Sequence, residues 1–386
     1  GIKVLNETKN SLLGEAPVKE TVEDIERIVG EFPEILGIHD MMVHNYGPSN
    51  LVASLHAEVD GDGDIYYLHD VIDNVERRIH AELGIYCTIH MDPIVVDDTL
   101  TNDEPFLPES TRHWIPYRYW NKLHAVGRAI AAIGGDRAPD FVALCEVEND
   151  SVMHDLTKRS PLRTAGYEYL MTSSTDPRGI DVALIYKSTT FRPFAYRSLR
   201  LPEAHISEQS HVRDVLLVSG QLHMGDTLDI FVCHLPSRLN GRQSAQLRRD
   251  VVDFLCTAID SVCHERGVPR IVVMGDCNDT PHSKSLNPLV EGQGLACITE
   301  HLKGSYRYKG KWEQIDHIYL SPALVESKTD ALHLSPRGAY NFDADFLTEP
   351  EPLYGGRRPH RTYNGMRYEG GTSDHLPVCF DLWFRW

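Results

Sequence analysis

Ile271-Val272-Val273-Met274-Gly275-Asp276-Cys277-Asn278-Asp279 is the stretch that decides how this chain reads. Four apolar residues, three of them β-branched, spell a buried strand. The strand delivers a carboxylate, Asp276, and two residues on an amide, Asn278. Far downstream, Ser373-Asp374-His375-Leu376-Pro377 adds a second carboxylate and an imidazole. A carboxylate beside an attacking water, an amide to orient that water and an imidazole to hold charge are the parts of metal-assisted phosphoester cleavage.

Working outward, the same arrangement recurs. Phe141-Val142-Ala143-Leu144-Cys145 reads as a buried strand ending in Glu146, and Leu228 to Cys233 as one ending in His234. Val182 to Tyr186, Ile315 to Leu320 and Val378 to Trp383 are further strands. Leu123, Val126, Ile130 and Ile133 mark an amphipathic helix over 122–133, closed by Gly134-Gly135, and a second helix spans 243–263. One carboxylate at a strand end is usually a turn or cap residue. Several strand ends carrying chemistry-bearing side chains in one chain point to a rigidly built site. Strands outnumber helices, which suits two packed sheets with helices outside.

Residues 1–98 have a different character. They hold 6 of the 38 Lys+Arg and 20 of the 56 Asp+Glu, a net of −14 out of −18 for the whole chain. Such a module repels nucleic acid and attracts cations. The remaining residues are near neutral, with basic clusters at Arg238–Arg249 and Arg357–Arg361 that suit a phosphate-bearing substrate. No run approaches the roughly 18 apolar residues of a membrane span. The eight cysteines form no Cys-X-X-Cys pair and read as reduced thiols, which favours a cytoplasmic setting.

Within the acidic part, Val18, Val22, Ile25, Ile28 and Val29 lie at helical spacing over 17–32. Strands follow at 39–43 and 51–59, separated by the turn Gly47-Pro48-Ser49-Asn50. After the turn at 61–64 comes a helix over 66–82 and a last strand over 85–96. The order is αββαβ, a small α/β sandwich. Histidines punctuate it, and His90 and Asp92, two apart on one strand, face the same side and suit one shared cation.

Leu12 to Pro17, Gly37-Ile38-His39-Asp40, His44 to Pro48, Ala53 to Asp60, His69 to Asp73 and Ile89 to Pro93 together resemble the C-terminal cytoplasmic domain of cation diffusion facilitator (cation efflux) transporters. The resemblance implies a homodimer, and it implies that His39, His56, His69, His90 and Asp92 bind Zn²⁺ or a similar divalent cation. That family's membrane helices would precede Gly1.

From about 99 to 386 the chain resembles the endonuclease/exonuclease/phosphatase family, through Leu144 to Asn149, Arg178 to Tyr186, Cys233 to Arg238, Gly275 to Asp279, Ile315 to Ile318, Arg361 to Met366 and Ser373 to Pro377. This implies a four-layer α/β/β/α sandwich that cleaves phosphoester bonds, in nucleic acid or a small phosphodiester, with Mg²⁺ or Mn²⁺. It implies Glu146 and Asp374 as metal ligands, Asp276 as the carboxylate that positions or deprotonates water, and Asn278 as the amide that orients it. His375 would contact the scissile phosphate with Asp316 as its orienting partner, His234 would donate to the phosphate or leaving oxygen, and Arg178 would contact phosphate.

The two resemblances meet at residues 85–104 without a flexible linker. The hydrolase family opens with a strand bearing an asparagine, where this chain carries the last strand of its first module. An empty strand position leaves backbone groups unpaired, at about 1–3 kcal/mol for each that is buried. The expectation is that 1–98 and 99–386 fold separately, Ile89–Val96 staying with the first. The competing reading is a non-catalytic metal-sensing and dimerisation fragment carrying an inactive hydrolase-like domain.

Overall fold

The computed structural model describes residues 19–45, 51–60, 65–94, 107–108, 110, 112–174, 176, 178–202, 212–238, 241–325, 332–365 and 367–384. The expected turns at 47–50 and 61–64, the join at 97–104, and residues 17, 18, 95, 96 and 366 lie outside them. The chain divides into two compact units, the second beginning at Lys122; residues 107–121 group with the first. Among the described residues no helix is long and apolar enough to cross a membrane.

The first unit runs α1 (Lys19–Val29), β1 (Ile35–Asn45), β2 (Leu51–Asp60), α2 (Ile65–Leu83) and β3 (Tyr86–Ile94). Helical spacing puts Ile25, Ile28 and Val29 of α1 and Ile72, Val75 and Ile79 of α2 on the inner faces. There they meet Ala53, Leu55 and Ala57 of β2, which alternate along the strand. Burying each of the larger aliphatic side chains contributes about 1.5–3 kcal/mol. Helix α2 stops at Gly84, whose φ of 69° is the left-handed conformation that closes a helix. Strand order is β1-β2-β3. β1 and β2 are antiparallel, while β3 runs parallel to β2 as far as the pair Asp60↔Ile94. Residues 86–94 are therefore committed to the first sheet.

Helix α3 (Pro116–Ile133) belongs to the second unit from Lys122 on, and is followed there by β4 (Phe141–Val147), β5 (Tyr167–Met171), β6 (Asp181–Lys187), β7 (Phe191–Leu199), β8 (Val215–Leu222), β9 (Thr227–His234), α4 (Arg242–Glu265) and β10 (Ile271–Asp276). Short strands follow: β11 (Ala296–Cys297), β12 (Tyr306–Tyr308), β13 (Lys311–Glu313), β14 (Asp316–Leu320), β15 (His333–Leu334) and β16 (Tyr340–Asn341). One sheet has the order β11-β14-β10-β9-β8-β7, a second β4-β6-β5.

Alternation along the strands of the six-stranded sheet builds two cores. Leu217, Phe231, Val273 and Tyr319 face α4, meeting Val251, Val252, Leu255, Ile259 and Val262. Their neighbours Leu216, Val218, Ile230, Val232, Val272, Met274, Ile318 and Leu320 face the other way, into the layer with Val182 and Leu184 of β6. Two sheets packed face to face with helices outside make this an α/β sandwich.

The second layer departs from expectation in two places. Phe141 to Cys145 are half-buried, not buried, because among the described residues β4 pairs with β6 alone. The strand expected over Val378 to Trp383 is two short pieces, Val378–Cys379 against β16 and Leu382–Trp383 against β15. Phe141, Ala143 and Cys145, like Val378, Phe380 and Leu382, cover the same apolar cluster. Among the described residues no ladder joins these two sets, so the layer is split into separately paired halves.

Candidate active site and metal centres

β10 is flanked in register by two strands that carry polar ends. Its parallel partner sets Asp276 level with His234, and its antiparallel partner sets Asp276 level with Asp316. The close approach of β9 and β10 depends on Gly275, with φ 145°, since a Cβ there would lie 1.8 Å from the Cys233 carbonyl oxygen. His375 arrives from the far end of the chain. It forms an isolated bridge with Tyr306, and the Leu376 N–H donates to the Ser305 carbonyl at 2.7 Å.

The side chains converge. His375 Nδ1 lies 2.7 Å from Asp316 Oδ2, and the Ser305 hydroxyl donates to the same oxygen. Ligand atoms of Asp276, Asp316 and His375 all fall within 4.8 Å of one another. His234 Nε2 is 3.5 Å from Asp276 Oδ2. Asn278, in a left-handed turn with φ 50°, donates its backbone N–H to Asp276 Oδ1 at 2.8 Å. Its side-chain amide donates to Asp276 Oδ2 at 3.1 Å and to the Leu235 carbonyl at 3.0 Å.

Burial and the neighbouring Asp316 charge push the Asp276 carboxyl up to about 7. Burial works against a charge on His375, but the Asp316 carboxylate and its hydrogen bond win and raise the imidazole to about 10. Asp316 is held below its usual range by His375 despite its own burial. His234 stays neutral, because burial and then the Arg213 and Arg178 charges drive its pKa well down. Its buried Nδ1 has no hydrogen-bond partner among the described residues.

His375 titrates higher in the folded chain than its ordinary 6.5. Its stabilising contribution is therefore complete below pH 6.5 and lost as pH climbs through about 10. Urea unfolding of the metal-free chain should show stability falling from pH 7 to pH 10, with the fall flattened in His375→Gln. Stability that rises with pH in that window contradicts the pairing.

Around this centre stand the remaining candidates. Glu146 lies exposed at the bulge between Cys145 and Val147, with φ 61°. Asp374 and Glu146 both act electrostatically on the half-buried Lys122. Arg178 donates from Nε to Asp176 Oδ1 at 3.2 Å and from its terminal nitrogen to Oδ2 at 3.1 Å, while its side chain stays 41% exposed. Asp176, wholly buried, also faces Arg213 at 3.4 Å, and Arg213 donates to the Leu235 carbonyl at 3.0 Å. Asp279, part of the decisive motif, binds Arg248 at 3.1 Å and the Ser285 hydroxyl at 2.6 Å and anchors the loop. Among the described residues, the groups of three or more ligand side chains close enough to share an ion are Asp276, Asp316 and His375, and His69, Asp70 and Asp73; Glu146 and Asp374 belong to neither.

Lys122, Asp176 and Arg213 escaped the sequence reading. Lys122 had a signal: at i, i+4, i+7 and i+11 it shares a stripe with Val126, Ala129 and Ile133. A lysine on an apolar stripe is a buried charge in search of a partner. Asp176 and Arg213 lie in irregular segments where no period exists to flag them.

In the first unit, register pairs His39 with His56 and His56 with His90, a histidine row across all three strands. The His56 and His90 rings stack at 5.0 Å, and His56 Nδ1 lies 3.1 Å from Asp92 Oδ2. His69 is not among them. It stands on α2, 68% exposed, with its ligand atom near those of Asp70 and Asp73. Imidazoles with one carboxylate suit zinc.

Residues 91–383 match the Endonuclease/Exonuclease/phosphatase family, and residues 17–94 match the cytoplasmic domain of cation efflux proteins. Among curated proteins none matches this chain. The fold is similar to that of a functionally unknown conserved protein from Enterococcus faecalis V583, at TM-score 0.49 and 14% identity over 73% of this chain and 94% of that one. It is also similar to an endonuclease/exonuclease/phosphatase family protein from Bacteroides thetaiotaomicron, at TM-score 0.48 and 15% identity over 68% and 89%. A mannosyl-6-phosphatase of Bacteroides thetaiotaomicron VPI-5482 aligns at TM-score 0.48 and 16% identity over 69% and 92%. The chain belongs to the endonuclease/exonuclease/phosphatase family, with a cation efflux cytoplasmic domain joined ahead of the hydrolase fold.

Proposed function

We propose that this chain is a divalent-metal-dependent phosphoester hydrolase fused to a zinc-binding domain through which it dimerises. The observation that carries the reading is the level row His234, Asp276, Asp316 across three strand ends, completed by His375. Asp276 has the pKa of a general base working near neutral pH, and Asn278 and His234 hold its oxygens in place. Its deprotonated oxygen takes a proton from the attacking water. His375, protonated against Asp316, presents a cationic donor to the phosphoryl oxygens as negative charge grows on them. Neutral His234 has a single N–H, turned to Asp276, so the contact to a non-reacting oxygen falls to Arg178, whose guanidinium is fixed by Asp176. A Mg²⁺ or Mn²⁺ held by Glu146 and Asp374 would supply Lewis-acid stabilisation of that same charge.

Substrate class follows from charge. Residues 1–98 carry −14 of the net −18 and repel any polyanion that comes near them, which puts a small phosphodiester ahead of nucleic acid. The test is a hydrolysis screen over phosphodiesters and phosphomonoesters with Mg²⁺, Mn²⁺ and Zn²⁺. Absence of turnover with every metal sinks the proposal.

One observation favours the inert alternative: β4, which delivers Glu146, is half-buried with a single partner strand among the described residues. Under that reading the chain binds metal through its first unit and hydrolyses nothing. In either case the family match at 17–94 supports a cytoplasmic setting. His56→Ala should weaken Zn²⁺ binding by at least about tenfold in calorimetric titration, because the row loses its central ring and the Asp92 contact. Unchanged zinc affinity removes the site.

A further inference from the structure

Most of the basic cluster at Arg357–Arg361 is spent on carboxylates. Arg358 pairs with Glu349 at 2.8 Å, and Arg357 reaches Asp345 at 4.0 Å. Nearby, Arg307 pairs with Glu351 at 2.6 Å. Arg361 differs. Its guanidinium lies over the Tyr306 ring, 5.6 Å from the centroid, and one terminal nitrogen donates to the Arg307 carbonyl at 3.3 Å. Its Nε–H is buried with no hydrogen-bond partner, and among the described residues no carboxylate pairs with it. A half-buried cation with donors unspent is costly until a counter-anion arrives.

Its place in the fold says which anion. Tyr306 forms the backbone bridge to His375, and the two rings lie 5.0 Å apart. His375, Tyr306 and Arg361 are therefore one row, linked by two ring contacts. The backbone holds the row together as well. The Gly371 N–H donates to the Arg361 carbonyl at 3.0 Å and the Ser373 N–H to the His360 carbonyl at 3.2 Å, which ties Arg361 to the segment that carries His375. A guanidinium fixed by a ring and a carbonyl is pre-organised to grip an oxyanion with its remaining donors.

We propose that Arg361 is a second oxyanion subsite: the substrate is a small phosphoester that presents its scissile phosphate to His375 and a further phosphate or carboxylate to Arg361. The proposal rests on the reading of His375 as the group that contacts the scissile phosphate. A residue that merely propped Tyr306 would act differently. Its loss would weaken ligands with one anionic head and ligands with two in parallel, whereas loss of a subsite removes only what the second head contributes.

The experiment titrates the full chain in Mg²⁺ buffer, by calorimetry, with ligands that cannot be hydrolysed. Butylphosphonate carries one head; alkane-α,ω-bisphosphonates and ω-carboxyalkylphosphonates of increasing chain length carry two. At the best-fitting length a two-headed ligand is expected to bind at least about tenfold more tightly than butylphosphonate, and the series with the larger gain identifies the second anion. In Arg361→Met that gain should shrink to about twofold or less, and Arg361→Gln gives the same answer if Arg361→Met fails to fold. Arg361→Lys keeps the charge without the fork and should recover part of the gain. A parent chain that shows no gain at any length, or a gain that survives in Arg361→Met or Arg361→Gln, overturns the proposal. His375→Gln reports on the underlying reading. It should weaken butylphosphonate itself, and if it does not, the first head sits elsewhere and the subsite falls with that reading. Turnover enters none of these measurements, so a failure of hydrolysis and a failure of the subsite are read apart.

Discussion

Asp276→Asn is expected to stay folded and to lower kcat by about 10³-fold, with KM changed far less. The amide keeps the shape of the side chain and can still accept the Asn278 backbone N–H that now lies at 2.8 Å. It cannot take a proton from water. The same change removes the carboxyl whose elevated pKa, about 7, suits the proposed general base. The residual rate should then lose its rise through neutral pH. Single-turnover rates on an activated phosphodiester, beside circular dichroism to verify the fold, check both points. A variant within tenfold of the parent would mean that the strand-end carboxylate is a spectator and that the cluster serves to hold His375.

Gly275→Ala should cost more than about 3 kcal/mol of stability, among the largest effects available to one methyl group. At φ 145° an L-residue is strained before any contact is counted. The added Cβ would also sit 1.8 Å from the carbonyl oxygen and 2.9 Å from the carbonyl carbon of Cys233, and backbone cannot swing aside. The two strands forced apart carry His234 and Asp276, so activity should vanish with stability. Gly135→Ala is the control. Its φ of 65° is also left-handed, but nothing lies within 4 Å of the new Cβ, so a loss of about 1 kcal/mol is expected. Denaturant melts of both variants measure the contrast, and equal losses would refute the steric account.

Much of this was legible because strands and helices announce themselves by period. The αββαβ order of the first unit, the strand ending in Asp276 and the long helix over 242–265 all follow from the spacing of apolar residues. The strand-end rule pointed to Asp276, Asn278, His234 and Glu146, of which the structure brings the first three together, and the resemblance supplied the pairing of His375 with Asp316, now at 2.7 Å. What escaped depends on pairing between distant segments. Whether Phe141 to Cys145 is covered on both sides is decided by which strand lies beside it, and no local pattern encodes that. The same holds for Val378 to Trp383, apolar except for Asp381, which the structure breaks at Phe380 and Asp381. His69 looked like one more ring in the histidine set, yet helical and strand positions with similar local chemistry end on different elements. Arg213 and Asp176 were silent because a buried ion pair in irregular backbone leaves no period to read.

Glu146 sits in a backbone conformation that glycine tolerates far better, at the exposed tip of a strand, where its carboxylate contributes little to folding. A glycine substitution there would relax the turn and stabilise the chain by about 1 kcal/mol. A glutamate held in that awkward turn is what the proposed metal-ligand role would call for.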